Sequence, residues 1–198
     1  MANGSRPAVG RAVLGGAVAG LVASVVMAMF AMIAAATYQG TGFFTPMYHI
    51  ASTFISGDAM KTSMERAMHG NAFSFAAGPA LLGAFVHMTW GAMLGGIFGV
   101  IAWWLRLRGP AAPVVGVGYG VAVMIVDSFI VLPIAASLFG GGTPIRDMPQ
   151  MVGWGTFTIE HAIYGFVLGL WPALRPQDVS VSAERADSVV IEAGPRAA

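Results

Sequence analysis

Cysteine is absent from this chain of 198 residues. That excludes disulfides, iron–sulfur clusters and thiolate metal sites, and it leaves the redox compartment open. Charge is nearly as scarce. Asp, Glu, Lys and Arg make up 10% of the residues, where a soluble domain carries about 25%. The few charges are also segregated. None falls in residues 12–38, and in residues 70–105 only His87 can carry one. A soluble helix needs a polar face at every turn, and these runs have none, so lipid is their expected solvent. A net charge of +1 offers no basic footprint for nucleic acid. The Walker A loop, the dinucleotide fingerprint, H-E-x-x-H and G-x-S-x-G are all missing, so no motif points to an enzyme.

What is present is apolar surface, 57% of the residues, together with 27 glycines. Four segments are long enough to cross a hydrocarbon core of about 30 Å. They are residues 12–38, 79–105, 113–137 and 151–170. The expected fold is an all-α integral membrane protein with a four-transmembrane-helix bundle. Arg6 and Arg11 precede the first run as they would a signal peptide. The run is about twice the usual 7–15 apolar residues of such a peptide, which favours a retained span. Trp103 and Trp104, followed by Arg106 and Arg108, mark the interface end of the second.

Basic residues set the expected orientation. Arg6, Arg11, Arg106, Arg108, Arg175, Arg185 and Arg196 fall on one side; Lys61, Arg66 and Arg146 fall on the other. The first side is expected to be cytoplasmic, with both termini there. The polar tail 173–198 has no periodicity and reads as disordered. Residues 40–78 then form an outer segment. Within it Met60, Met64 and Met68 recur at i, i+4, i+8 from Asp58 onward. That spacing predicts an amphipathic helix resting on the outer membrane surface. A thioether Cu(I) site with His49 or His69 is the functional alternative.

The two halves of the chain repeat a pattern. Gly16 and Gly20 recur as Gly116 and Gly120, Thr45-Pro46 as Thr143-Pro144, and His87-x3-Gly91-x3-Gly95 as His161-x3-Gly165-x3-Gly169. Trp90 and Tyr164 occupy matching slots. A duplicated helical hairpin accounts for this series, with the outer segment as an insertion in the first copy. Small residues four apart let helices approach closely in lipid.

Four groups inside the spans ionise near neutral pH: His87, Asp127, Glu160 and His161. Each lies about 8–10 residues from the outer end of its span, roughly 12–15 Å deep at ~1.5 Å per residue. Ionisable groups in hydrocarbon are costly, so they are expected to face one shared interior site. At least one carboxylate is expected within hydrogen-bond reach of a histidine nitrogen. Three readings stay open. The groups form a structural polar plug; His87 and His161 bind haem or a transition metal, with Asp127 and Glu160 as ligands or supporting groups; or the set relays protons or holds an ion. Partners are the lipid bilayer and, because four spans make a small pathway, a homo-oligomer or a membrane complex.

The order of features resembles the YagU-like inner-membrane proteins of bacteria. The residues that carry the resemblance are Gly16 and Gly20, the long segment 40–78, His87, Gly142-Thr143-Pro144 and His161. It spans roughly residues 12–172. It implies a bacterial inner-membrane protein linked to acid tolerance, without assigned catalytic residues. The Met-rich outer helix departs from that pattern.

The four-span expectation is checked by reporter fusions after Arg108, Gly142 and Arg175. They should read inside, outside and inside, and an outside reading after Arg108 would mean a miscounted span.

Overall fold

The computed structural model describes residues 6–174, with side chains from Val9 onward. The tail expected to be disordered lies outside the described residues from 175 on, as do Arg175, Arg185 and Arg196. Among the described residues all regular structure is helical. In chain order there are α1 (Arg6–Ala36), α2 (Thr45–Ala51), α3 (Asp58–Met68), α4 (Ala77–Trp104) and α5 (Ala111–Val126). A π-helical turn (Asp127–Val131) leads into α6 (Leu132–Phe139), α7 (Gly142–Arg146), α8 (Met148–Val152) and α9 (Trp154–Ala173).

Three helices are long and apolar enough to cross a membrane: Val9–Ala36, Ala77–Trp104 and Ala111–Phe139, the last running through the π turn. Each has 28 or 29 residues, about 42 Å at 1.5 Å per residue. Large apolar side chains are exposed along them, including Leu14, Leu81, Phe85, Val114 and Phe129. Such a belt has no place in water and fits hydrocarbon. α1 begins six residues before the expected run, because Pro7 in the first helical turn gives up an N–H that has no partner there.

Glycine stripes hold these helices together in two antiparallel pairs. A Cβ at Gly16 would run into the Gly95 carbonyl, one at Gly20 into the Gly91 carbonyl, and one at Gly99 into the Ala12 carbonyl. In the second pair Gly116 meets the Gly165 carbonyl and Gly120 the His161 carbonyl. α1 therefore lies backbone to backbone on α4, and α5 on α9. α1 also packs along α9, where Tyr38 Oη lies 2.9 Å from Thr156 Oγ1 and Gln39 Nε2 donates to the Val152 carbonyl at 2.9 Å. The order across the bundle is α4, α1, α9, α5. α4 touches α5 and α9 only sparsely.

Three expectations change. The third span is interrupted: the Leu132 N–H bonds back to the Asp127 carbonyl, five residues away. Pro133 follows at once; it has no N–H, and its ring crowds the carbonyl of residue 129, which favours the wider turn. The fourth helix starts at Trp154 rather than 151, because Gly153 sits at φ +87, where other residues rarely go. α3 does begin at Asp58, but its Met stripe divides. Met60 is 3% exposed against Tyr48 and Ala80, Met64 packs on the same cluster, and Met68 is 73% exposed. Protein, rather than the membrane surface, covers the first two. Tyr48 fixes this cap by accepting the Ala76 N–H at 2.8 Å and donating to the Ser74 carbonyl at 3.1 Å.

Gly95→Ala is expected to part α1 from α4, since its Cβ would meet the backbone of Gly16 and Gly20. The loss is of the order of overpacking, about 1–3 kcal/mol. Gly118→Ala, with open space at its Cβ, should leave stability unchanged. Thermal unfolding of the detergent-solubilised variants measures both.

Candidate functional site: a polar-walled cavity between the helices

Because α4 stands away from α5 and α9, a partly open cavity of about 500 Å³ lies on that side. Small residues of α1, Ser24, Ala28 and Ala31, leave the room. α2 and the turn after it form a roof, closed by the Phe54 and Phe139 rings at 4.7 Å. Most of the wall is apolar. His87, Asp127, Glu160 and His161 all line it, so the four residues singled out from the sequence meet at one cavity.

Their partners differ. His161 Nδ1 is 2.8 Å from the Phe157 carbonyl. A carbonyl can only accept, so Nδ1 carries hydrogen and Nε2 points at Asp127. That approach is 3.8 Å to Oδ2, an ion-pair distance rather than a hydrogen bond. The expected carboxylate–imidazole hydrogen bond is therefore not formed. Asp127 instead accepts from the Trp90 indole at 3.3 Å. His87 Nε2 donates to the Ser24 carbonyl at 3.1 Å. Glu160, 6% exposed, has no hydrogen-bond or ion-pair partner among the described residues.

Judged by glycine contact, His87 and His161 do not take equivalent places. Gly20 contacts Gly91 and Gly95, whereas Gly120 contacts His161 and Gly165. By these contacts His161 corresponds to Gly91. His87 lies one helical turn further out, about 5.4 Å along the axis. Tyr164 likewise corresponds to Leu94 rather than to Trp90.

Metal chemistry needs converging lone pairs. Among the described residues no group of three or more His, Cys, Asp or Glu is placed to hold an ion. His87 Nε2 and His161 Nδ1 each donate to a carbonyl, which leaves one ring nitrogen on each with a lone pair. At the outer cap, Met68 and His69 are exposed while Met60 is buried in an apolar cluster. His49 Nε2 is engaged with the Pro144 carbonyl at 2.8 Å, so the thioether site has no gathered ligand set.

Several cavity residues were not singled out from the sequence. Trp90 was read only as a repeat marker, yet its N–H reaches Asp127. His49 was weighed only as a copper ligand of the outer segment, yet it lines the roof. Ser24 lines the wall, and its Oγ is buried without a hydrogen-bond partner among the described residues. A serine in a Gly/Ala-rich helix carries no signal of its own. Two tyrosine hydroxyls bridge the sparse contacts to α4: Tyr164 donates to the Gly91 carbonyl at 2.7 Å and Tyr119 to the Leu94 carbonyl at 2.8 Å.

His49 makes the roof sensitive to acid. Burial holds its ring below the ordinary value of 6.5, and the Pro144 hydrogen bond opposes this only in part. The unfolded chain then binds the proton more readily than the folded one. The contribution of His49 is complete above pH 6.5 and is lost as pH falls toward the lower folded-state value. The thermal midpoint should drop between pH 7.5 and 5.5, and His49→Gln should flatten that part of the slope. An unchanged slope in the variant would exclude His49 as its source.

No protein-family model, curated protein or solved structure matches this chain, so what the cavity does is argued from its own geometry.

Proposed function

We propose that this chain is a four-span membrane protein that takes a lipid-soluble small molecule from the bilayer into the cavity. The molecule's polar end is held against His87, Asp127, Glu160 and His161. One observation carries the reading: an apolar cavity of about 500 Å³ beside a sparse helix contact, lined by His49, His87, Asp127, Glu160 and His161. Binding pockets are of this size, mostly apolar, with a few convergent polar groups. The gap between α4 and α5 faces the lipid, so a ligand dissolved in the membrane enters sideways. The role is binding, and no residue is assigned a catalytic step.

The architecture within this proposal has α9 as the fourth span. Its 20 residues reach about 30 Å. α1 and α5 shelter it on two sides, which is why a helix carrying Glu160 and His161 is tolerated there. The two glycine crossings support a duplicated hairpin. Residues 12, 16 and 20 of α1 take the places of 112, 116 and 120, and 91, 95 and 99 of α4 those of 161, 165 and 169. The antiparallel pairs bring the start of α1, the end of α4, the start of α5 and the end of α9 to one end of the bundle. Arg11, Arg106 and Arg108 gather there, and in the proposed topology that end faces the cytoplasm. The bacterial inner membrane is the location the YagU-like resemblance implies.

A neutral fluorescent probe, N-phenyl-1-naphthylamine, should bind nanodisc-embedded protein saturably, at one per chain above empty nanodiscs. Ala31→Phe fills the cavity and should weaken this by at least about tenfold, the equivalent of 1.4 kcal/mol. Binding equal to that of empty nanodiscs, or unaffected by Ala31→Phe, would overturn the reading.

A further inference from the structure

Two carboxylates share the cavity wall, and only one has company. Asp127 has the Trp90 indole at 3.3 Å and His161 Nε2 at 3.8 Å. Glu160 is buried, lines the cavity and has no hydrogen-bond or ion-pair partner among the described residues. We propose that Glu160 is the anchor for a hydrophobic organic cation, a protonated amine or a quaternary onium, which it binds in exchange for a proton. This rests on the cavity being a binding site, as argued above.

The residues around Glu160 leave it few alternatives. Among the described residues no lysine or arginine lines the cavity. The titratable groups that face it are His87 from α4, Asp127 from the π turn, His161 and Tyr164 from its own helix, and His49 from the roof; α1 presents none. Among the described residues the His161–Asp127 approach is the sole ion-pair contact in the cavity. A carboxylate in hydrocarbon must be neutralised. Without a basic side chain in reach, it is neutralised by a proton or by an imported positive charge.

The remaining wall suits the apolar part of such a cation. Phe85, Trp90, Phe157 and Tyr164 bring aromatic rings to the cavity, and aromatic faces attract cations within about 6 Å. A small metal ion would need several converging oxygen ligands, which are not gathered here. A ligand with an anionic head would meet two carboxyl groups and no fixed cation. The exchange balances without redox chemistry. The Glu160 carboxylic acid loses its proton to solvent, the carboxylate pairs with the onium, and one positive charge leaves for each that enters. No covalent bond to the ligand forms or breaks.

Tetraphenylphosphonium is the test probe, with neutral triphenylphosphine oxide as its comparison. Titration calorimetry of the full detergent-purified chain, in two buffers of different ionisation enthalpy, counts protons released per cation bound. The expected result is saturable binding at one per chain with close to one proton released. In the range where Glu160 is protonated, affinity should rise up to about tenfold per pH unit. Glu160→Gln should lose both the release and the pH dependence, with affinity lower by about tenfold or more. The neutral oxide should release none. Tetraphenylphosphonium binding without proton release in the wild-type chain would overturn the proposal, with no variant required. So would release that persists in Glu160→Gln but disappears in Asp127→Asn. If the oxide and N-phenyl-1-naphthylamine saturate the cavity and the phosphonium does not, the cation assignment falls alone. If none of the three binds, the binding-site reading falls with it.

Discussion

Backbone contact through glycine is the constraint on which the rest of this structure depends. In lipid there is no hydrophobic force sorting helices together, so association relies on van der Waals contact at short range. Gly16, Gly20, Gly91, Gly95 and Gly99 supply that contact for α1 and α4, and Gly116, Gly120, Gly165 and Gly169 for α5 and α9. Each pair closes tightly on one face. Joining the pairs through α1 and α9 then leaves α4 without a continuous neighbour on the side of α5. The cavity follows from where the glycines are, and the tyrosine hydroxyls of Tyr119 and Tyr164 are the pegs that cross the remaining gap.

The polar groups exploit the space so created. Asp127 begins the π turn, and such a turn admits an extra residue and shifts the helical face that follows. Its carboxylate can therefore meet Trp90 from across the cavity while Ser128 satisfies its own hydroxyl on the Met124 carbonyl at 2.7 Å. The carbonyls of Ser24 and Phe157 take hydrogens from His87 and His161. In both cases the histidine is oriented by backbone, not by another titratable group. A polar plug that existed only to fix helix register would be expected to satisfy its members fully. Here Ser24 Oγ and Glu160 are left without partners among the described residues.

Much of the fold was legible because its signals are extreme. Charge-free runs placed α1 and α4, Trp103 and Trp104 before Arg106 and Arg108 marked the end of α4, apolar length placed the third long helix, and Asp58 opened α3 where the Met periodicity began. The gathering of His87, Asp127, Glu160 and His161 was legible from depth alone, since groups that hydrocarbon excludes share the shelter available at that depth. Finer geometry was not. Within the proposed repeat, glycines at every fourth position align His87 or Gly91 with His161 equally well, and the contacts of Gly20 and Gly120 favour Gly91. Pro133 was visible, but whether it kinks, ends or widens a helix depends on the packing around it. The Met stripe of α3 was a sound apolar face; what covers it depends on Tyr48 and Ala80, which are distant in sequence.

Glu160 and Asp127 show why residue type at a given depth is too coarse a description of such a site. Both are acids, both are buried and both line the same wall. Asp127 sits opposite α4 with the Trp90 indole N–H at 3.3 Å and His161 Nε2 at 3.8 Å from its Oδ2, so its neighbours are built into the fold. Glu160 stands one residue before His161, and that step of about 100° around the helix turns it away from the same partners. An acid with polar neighbours in the fold ties helices together; an acid without them is the one proposed to pair with a ligand. Two adjacent residues on α9 thus divide the work: His161 approaches Asp127 across the wall, and Glu160 lines the same cavity without a partner among the described residues.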